Sequence, residues 1–134
     1  MRDEARSYAA ARKERTADTD RWLKDLFRTA SDGEHVSLVA VGSLGRGELA
    51  PGSDLDLVLL HNGRSDVARI ADRIWYPIWD SAIGLDHSVR TVDEAVAVAR
   101  EDLKAVLGLI QARHVAGDPE LTRRAREAVL AEWR

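Results

Sequence analysis

Two carboxylates stand one residue apart in DLDLVLL, at 54–60, a segment that otherwise reads as the apolar run of a buried strand. Side chains two residues apart on a strand point to the same side, with Cα atoms about 6.6 Å apart. Asp54 and Asp56 should therefore project together from one face. Burying two acids is costly unless a cation neutralises them. Because Mg²⁺ binds carboxylate oxygens together with substrate phosphates, the pair predicts a divalent-metal site.

A third acid follows in GLDHSVR, at 84–90, where polar and apolar residues alternate as in a strand with one polar face. Asp86, Ser88 and Arg90 share that face. If this strand lies beside the first, Asp86 joins the pair, and three acids can hold two metal ions about 3.5–4 Å apart for in-line attack on phosphate. Arg90 is predicted to contact phosphate, with an ion pair to one of the acids as the alternative.

The loop that precedes the acids, GSLGRGELAPGS, has residues suited to an anion. Gly42 lets backbone approach a bulky group, and Ser43 offers a hydroxyl and an amide. Arg46 adds a guanidinium, which suits phosphate. We therefore predict a phosphate-binding loop that contains Gly42, Ser43 and Arg46 and ends at Ser53, next to Asp54.

Each feature also has a purely structural interpretation. Gly52-Ser53-Asp54 could form a turn in which the carboxylate accepts backbone amides. Asp56 and Asp86 could be solvated strand residues. The interval of ten residues between Ser43 and Asp54 is what favours a single site built from both halves.

Composition limits the classes of function. A chain of 134 residues suits one domain, and 45% hydrophobic residues are enough for a core. The net charge of −3 gives no basic footprint, so nucleic acid is not the predicted partner. Cysteine is absent, which excludes disulfides and cysteine-bound zinc. No apolar run is long enough to cross a bilayer and the N-terminus does not resemble a signal peptide, so we predict a cytoplasmic protein without membrane contact.

The periodicity predicts an α+β domain with a small mixed sheet covered by helices. The expected elements are a helix at 3–30, strands at 36–41, 54–60 and 84–90, a helix at 65–80, a long helix from the capping box Thr91/Glu94 to Gly117, and a final helix from Asp118-Pro119. We divide 1–134 into an N-terminal helix at 1–32, a catalytic sheet at 36–90 and a helical extension at 91–134. Val129 and Trp133 form an apolar edge at the end of the chain, so we expect either that they pack back on this domain or that the chain belongs to something longer.

Two motifs together resemble a known signature. Val41-Gly42-Ser43, then ten residues, then Asp54-Leu55-Asp56-Leu57 resembles the nucleotidyltransferase signature of the DNA polymerase β superfamily, in which an hG[GS] turn precedes Dh[DE]h. GSLGRGELAPGSDLDLVLLH resembles, more narrowly, the bacterial PII uridylyltransferases, as do LDHSVRTVDEA and LGLIQARHVAGDPEL. The resemblance runs from about residue 20 to the C-terminus.

The resemblance implies a polymerase β-like fold followed by C-terminal helices, and a metal-dependent transferase. A nucleoside triphosphate would give its nucleotidyl group to a tyrosine hydroxyl of the nitrogen-signalling protein PII and release pyrophosphate. Asp54 and Asp56 match the metal-binding pair, and Gly42 and Ser43 match the turn that holds the triphosphate. Asp86 takes the place of the third acid. Two Mg²⁺ ions are expected, with Mn²⁺ as an alternative.

The resemblance leaves the base and the acceptor open. UTP is the family expectation, but relatives that transfer AMP from ATP would carry the same acids. An aminoglycoside or RNA acceptor, or a catalytically inactive nucleotide-binding module, are the alternatives. Family members are long chains with an HD-type hydrolase domain and ACT domains, which do not fit in 134 residues. We therefore expect an N-terminal fragment of a multidomain chain or a stand-alone relative, and the apolar edge at Trp133 favours the fragment.

Overall fold

A computed structural model describes the backbone of residues 2–132 and the side chains of residues 7–132. This part of the chain forms six helices and four strands. In order they are α1 (Arg2–Ala30), β1 (Val36–Ala40), α2 (Gly42–Gly45), β2 (Leu55–His61), α3 (Val67–Asp80), β3 (Leu85–Thr91), α4 (Val92–Glu101), α5 (Leu103–Ile110), β4 (Arg113–Gly117) and α6 (Pro119–Glu132).

The four strands form one mixed sheet in the order β3-β2-β1-β4. Strand β1 pairs antiparallel with both β2 and β4, and β2 pairs in parallel with β3. The two central strands are the most buried, because every residue of β1 and four of the seven residues of β2 are buried. The predicted α+β class, with a small mixed sheet and covering helices, is confirmed.

The two faces of the sheet bury different side chains of the same strands. Leu57 and Leu59 of β2 face a core that includes Leu23 of α1 and Ile74 of α3. Leu60 belongs to a second core with α6 on the opposite face. This alternation follows from the two-residue period of a strand. It also places Asp54 and Asp56 on the α6 side, away from the larger core.

The long helix predicted from 91 to Gly117 is wrong beyond Glu101. The capping box at Thr91 and Glu94 is present, but Asp102 interrupts the helix with extended backbone and caps α5 by accepting a hydrogen bond from the amide of Lys104 at 2.9 Å. After α5 the chain forms β4, which pairs with β1 as the fourth strand. The segment 91–134 is therefore not purely helical.

The physical reason for the missed strand is tertiary. Residues 113–117 are too few to show a clear two-residue period, and the helical stripe that precedes them suggested continuation. Pairing with the open edge of β1 outweighs that local preference. The apolar residues of the predicted long helix are only partly buried, because Val106 is buried while Leu103 and Ile110 are exposed.

The C-terminal helix packs back on the domain. Val129 of α6 is fully buried in a small cluster with Ala99 of α4 and Val106 of α5. Trp133, the other residue of the predicted apolar edge, lies outside the described residues. Among the helices of the described part of the chain, none is long and apolar enough to cross a membrane.

Candidate active site

The parallel pairing of β2 and β3 sets two acids opposite each other. Asp56 is the register partner of Asp86, and the amide of Leu55 donates to the carbonyl of Gly84 at 2.8 Å just before the ladder begins. Neighbouring strands lie about 4.8 Å apart, and paired residues of a parallel ladder point to the same face. Asp56 and Asp86 therefore project side by side, as the sequence predicted for adjacent strands.

Asp56 sits in an environment that disfavours its charge. Burial raises the pKa of its carboxyl above the ordinary value of 3.8, and the negative charge of Asp86 raises it further. The ammonium of Lys104, at the start of α5, acts in the opposite direction, but the pKa of Asp56 stays raised. A positive charge near this pair would relieve the cost of keeping Asp56 ionised.

The glycine turn lies directly against Asp56. Gly42 has a φ of +61°, which glycine adopts without strain, and a Cβ at this position would lie 3.1 Å from Oδ2 of Asp56. The amide of Val41 also donates to the backbone carbonyl of Asp56 at 2.9 Å. The turn and the strand that carry the two halves of the sequence signature are thus in contact.

Asp54 occupies a different place from the facing pair. Its carboxylate lies over Gly84, and a Cβ on that glycine would overlap the carboxylate oxygen Oδ1. Asp54 is exposed at the residue before β2, whereas Asp56 is half-buried. The two side chains therefore flank the start of the ladder between β2 and β3, with Asp54 next to Gly84 and Asp56 next to Asp86.

A cavity of about 590 Å³ opens above the facing acids. The sheet supplies its floor and α4 and α5 supply its walls. Five of the predicted site residues line it, namely Gly42, Arg46, Asp56, Asp86 and Arg90. Ser43, Ser53 and Asp54 are outside the lining, although Ser43 directly follows Gly42 and Asp54 is two residues from Asp56.

The polar groups of the loop are largely engaged within the loop. Arg46 pairs with Glu48 at 3.3 Å, and both side chains are exposed. The carbonyl of Ser43 accepts the amide of Glu48 at 2.8 Å, and the amide of Ser53 donates to the carbonyl of Ala50 at 3.1 Å. Since the Arg46 pair is exposed and weak, its guanidinium is available to an anion in the cavity.

Sequence reasoning missed the residues that α5 contributes. Lys104, Asp102 and Gln111 line the same cavity, and Lys104 is close enough to affect the pKa of Asp56. A continuous helix was predicted across this region, so nothing placed Lys104 over the acids. The signal that was available is Asp102, an N-cap residue type two positions before Lys104.

The donor set suits a hard divalent cation. Carboxylate oxygens are the preferred ligands of Mg²⁺, and a cation between Asp56 and Asp86 would reverse the repulsion that raises the pKa of Asp56. Within residues 7–132, whose side chains the structure describes, no group of three or more histidines, aspartates or glutamates is arranged for a metal ion. The fit therefore rests on the facing pair, with Asp54 beside it.

A protein-family model described as a nucleotidyltransferase domain matches residues 21–115, more than half of the chain. Among curated proteins, the bifunctional uridylyltransferase/uridylyl-removing enzyme of Streptomyces coelicolor is 58% identical over 134 residues, which cover 97% of this chain and 16% of the relative. The enzymes of that name from Mycobacterium tuberculosis and Corynebacterium glutamicum are 52% and 46% identical, and cover 78% and 87% of this chain.

The chain spans only 13–17% of the length of these relatives. Among solved structures, a crystal structure of a toxin-antitoxin with AMP-PNP matches the fold, with a TM-score of 0.54 and 12% identity, over 85% of this chain and 86% of that one. The resemblance drawn from the sequence motifs is confirmed by these relatives. The chain belongs to the nucleotidyltransferase domain family, a class of enzymes, and is similar to part of the bifunctional uridylyltransferase/uridylyl-removing enzymes.

Proposed function

We propose that this domain transfers a nucleotidyl group, UMP by expectation, from a nucleoside triphosphate to a tyrosine hydroxyl of a PII-type signalling protein and releases pyrophosphate. The observation that carries the proposal is the contact between Gly42 and Asp56, with Asp86 opposite, at the floor of a cavity. Relatives named as uridylyltransferases support uridylyl transfer. PII as the acceptor comes from the sequence resemblance.

The chain's own residues have the following proposed roles. Asp56 and Asp86, with Asp54 beside them, would hold Mg²⁺, or Mn²⁺ as an alternative. The bound ions would neutralise charge on the phosphates and on the attacking oxygen. Gly42 and Ser43 receive the triphosphate, and the cations of Arg46 and Arg90 orient its phosphates along with the neighbouring Ser53.

The reaction is an in-line displacement at the α-phosphorus. The tyrosine oxygen forms a bond to that phosphorus, and the bond to the oxygen bridging the α- and β-phosphates breaks. The hydroxyl proton leaves the tyrosine oxygen for solvent as the new bond forms. The cavity's function is to position the two reactants, which supplies much of the acceleration in phosphoryl transfer.

The proposal can be tested by incubating this chain with purified PII and Mg²⁺ in the presence of a single nucleotide, either UTP, ATP or CTP. Intact-mass spectrometry of PII then shows whether a nucleotidyl group was added. We expect this chain to add one uridylyl group to PII with UTP, and the S. coelicolor relative serves as the positive control. Mapping the modified peptide identifies the acceptor residue. A chain that binds UTP and Mg²⁺ yet leaves PII unmodified under conditions where the control works would overturn PII as the acceptor.

The other candidate functions differ in the nucleotide that is used, in the acceptor that is labelled, or in whether any transfer occurs. Transfer from ATP would assign an AMP transferase, and labelling of an aminoglycoside or RNA in place of PII would assign another acceptor. The acidic net charge of −3 argues against RNA. Triphosphate binding by calorimetry with no pyrophosphate release would indicate a regulatory module. The domain boundaries and the cytoplasmic location given by the sequence stay predictions.

A further inference from the structure

Arg113, the first residue of β4, joins three elements through one guanidinium. Its two terminal nitrogens donate to the two carboxylate oxygens of Asp20 on α1, at 2.5 and 3.1 Å, and Nη2 also donates to the carbonyl of Leu44 in α2, at 2.8 Å. Only 33% of the Arg113 side chain and 17% of the Asp20 side chain are exposed. A bidentate, partly buried pair of this kind is stronger than an ordinary surface ion pair.

The carbonyl that Arg113 binds belongs to the turn that carries Gly42. Leu44 is fully buried, and its carbonyl also accepts the amide of Gly47 at 3.1 Å, so both of its acceptor positions are used. The next residue is packed against β1, because a Cβ on Gly45 would lie 2.6 Å from the carbonyl oxygen of Ala40. The turn is thus fixed on one side by β1 and on the other by the guanidinium of Arg113.

The second half of the same loop is fastened in a similar way. Arg15 of α1 donates from Nη1 to the carbonyl of Leu49 at 2.8 Å. Helix α1 therefore reaches the loop twice, once directly and once through Asp20 and Arg113. The residues that make these contacts do not line the cavity, so both contacts hold the loop from outside the site.

We propose that Arg113, oriented by Asp20, is a positioning residue that holds the Gly42–Gly45 turn at its place against Asp56 and so sets how tightly the nucleoside triphosphate binds. The inference rests on the proposed function for its effect on the nucleotide. It assigns a function-related role to LGLIQARHVAGDPEL, the third segment of sequence resemblance, which the metal and phosphate residues leave unexplained.

The competing interpretation is that Arg113 and Asp20 only stabilise the fold. Arg64 provides a matched control, because it also binds carboxylates and a backbone carbonyl. It donates to Asp32 at 2.6 Å, to Asp66 at 2.7 Å and to the carbonyl of Glu34 at 2.7 Å. These contacts lie at the opposite end of β2 from the acids, so losing them should affect stability without moving the glycine turn.

The first measurement is steady-state kinetics of UMP transfer to PII. Arg113→Lys keeps the charge but cannot bind two carboxylate oxygens and a carbonyl in one plane, so we expect KM for UTP to rise about tenfold or more with a smaller change in kcat. Asp20→Asn should change KM in the same direction, and the double variant should be no worse than the worse single one. Arg64→Lys should leave KM unchanged.

The second measurement is hydrogen exchange, which needs no activity. Arg113→Lys and Asp20→Asn should speed exchange of the amides of Gly45, Arg46 and Gly47, which are bonded within the turn. Arg64→Lys should not speed it. Unchanged exchange in folded Arg113→Lys, or faster exchange with KM unaltered, would overturn the inference. If the wild-type chain transfers nothing, the proposed function fails, and the exchange result alone decides whether Arg113 holds the turn.

Discussion

At the scale of single residues, Asp56 lies where ionisation is costly and a cation would reduce that cost. Asp56 is half-buried, faces Asp86 across a parallel ladder and touches the glycine turn. Repulsion between the two carboxylates lowers the stability of the fold, and removing one of the acids would relieve it. The sequence predicted that Asp86 would join Asp56 if their strands were adjacent, and the parallel pairing of β2 and β3 meets that condition.

We predict that Asp56→Asn reduces UMP transfer by about 100-fold or more while leaving the melting temperature unchanged or higher. Asparagine keeps the size of the side chain but removes the charge that a metal would need and that Asp86 repels. Transfer kinetics and thermal unfolding measure the two effects. Full activity in this variant would contradict the proposed role, and Asp86→Asn tests whether both members of the pair are needed.

His114 provides a pH-dependent contribution away from the cavity. Burial lowers its pKa below the ordinary value of 6.5, as do Lys24 and Arg126, whereas Asp118 and a backbone hydrogen bond with Gly117 act in the opposite direction. Its Nδ1 lies 2.8 Å from the hydroxyl oxygen of Thr122. The folded chain therefore binds this proton less tightly than the unfolded chain does. The neutral ring favours folding above about pH 6.5, and that contribution is lost as the pH falls toward the lowered folded-state pKa.

We therefore predict that His114→Asn flattens the pH dependence of stability. The asparagine amide can still contact Thr122 but does not ionise, so the wild-type chain should lose more stability than the variant between about pH 7.5 and pH 5.5. Urea unfolding at each pH gives the comparison. His35→Asn, at an exposed left-handed position, is the control. Parallel pH curves for the wild type and His114→Asn would contradict the prediction.

At the scale of elements, the sequence predicts what local periodicity controls. The first helix, β1, β2, α3 and β3 lie within a few residues of their predicted ranges because each has a strong apolar pattern and clear end signals. The break at Asp102 and strand β4 were missed because the strand is short and owes its conformation to pairing with β1. The same error concealed Lys104, since its position over the acids depends on that break.

Strand β4 ends at Gly117, where neither the backbone conformation nor the surrounding space suits a side chain. Gly117 has a φ of +92°, and a Cβ there would overlap the carbonyl oxygen of Val36 and lie 2.7 Å from Cζ of Phe27. Gly63 is also left-handed, with a φ of +73°, but a Cβ would meet nothing within 4 Å among the described residues. A side chain would strain the left-handed backbone at both positions, but only at 117 would it also overlap neighbouring atoms.

We predict that Gly117→Ala lowers the free energy of unfolding by about 2–4 kcal/mol, against about 1 kcal/mol for Gly63→Ala. The difference isolates the overlap with β1 and α1 from the strain common to both sites. Urea unfolding of the two variants is the measurement. Equal losses would mean that the edge strand shifts freely, contrary to its packing against Phe27.

At the scale of the whole molecule, the site is shared by parts of the chain that are distant in sequence. The turn after β1, the starts of β2 and β3 and helix α5 meet at one cavity. Helix α5 carries an exposed apolar row, in which Leu103, Leu107 and Ile110 are 57%, 49% and 38% exposed. The sheet holds the turn, the two strand ends and α5 together. A ligand that bridges them in the cavity should therefore stabilise the whole fold.

We predict that UTP with Mg²⁺ raises the melting temperature by about 10 °C when the nucleotide is present at about 100 times its dissociation constant. The reason is that a ligand bound only by the folded chain contributes about 2.7 kcal/mol under that condition. Differential scanning calorimetry measures the shift. Asp56→Asn should lose most of it, and an equal shift in that variant would place the nucleotide elsewhere.

The close approach of Asp54 to Gly84 has a consequence for how such chains can change over time. The carboxylate fills the volume that a side chain at 84 would take, but a carboxylate is the movable end of a flexible side chain and can rotate away. A side chain at 84 would thus leave the fold intact but would displace the Asp54 carboxylate from its place. The two positions are therefore coupled, because the side chain at 84 decides where the Asp54 carboxylate can lie.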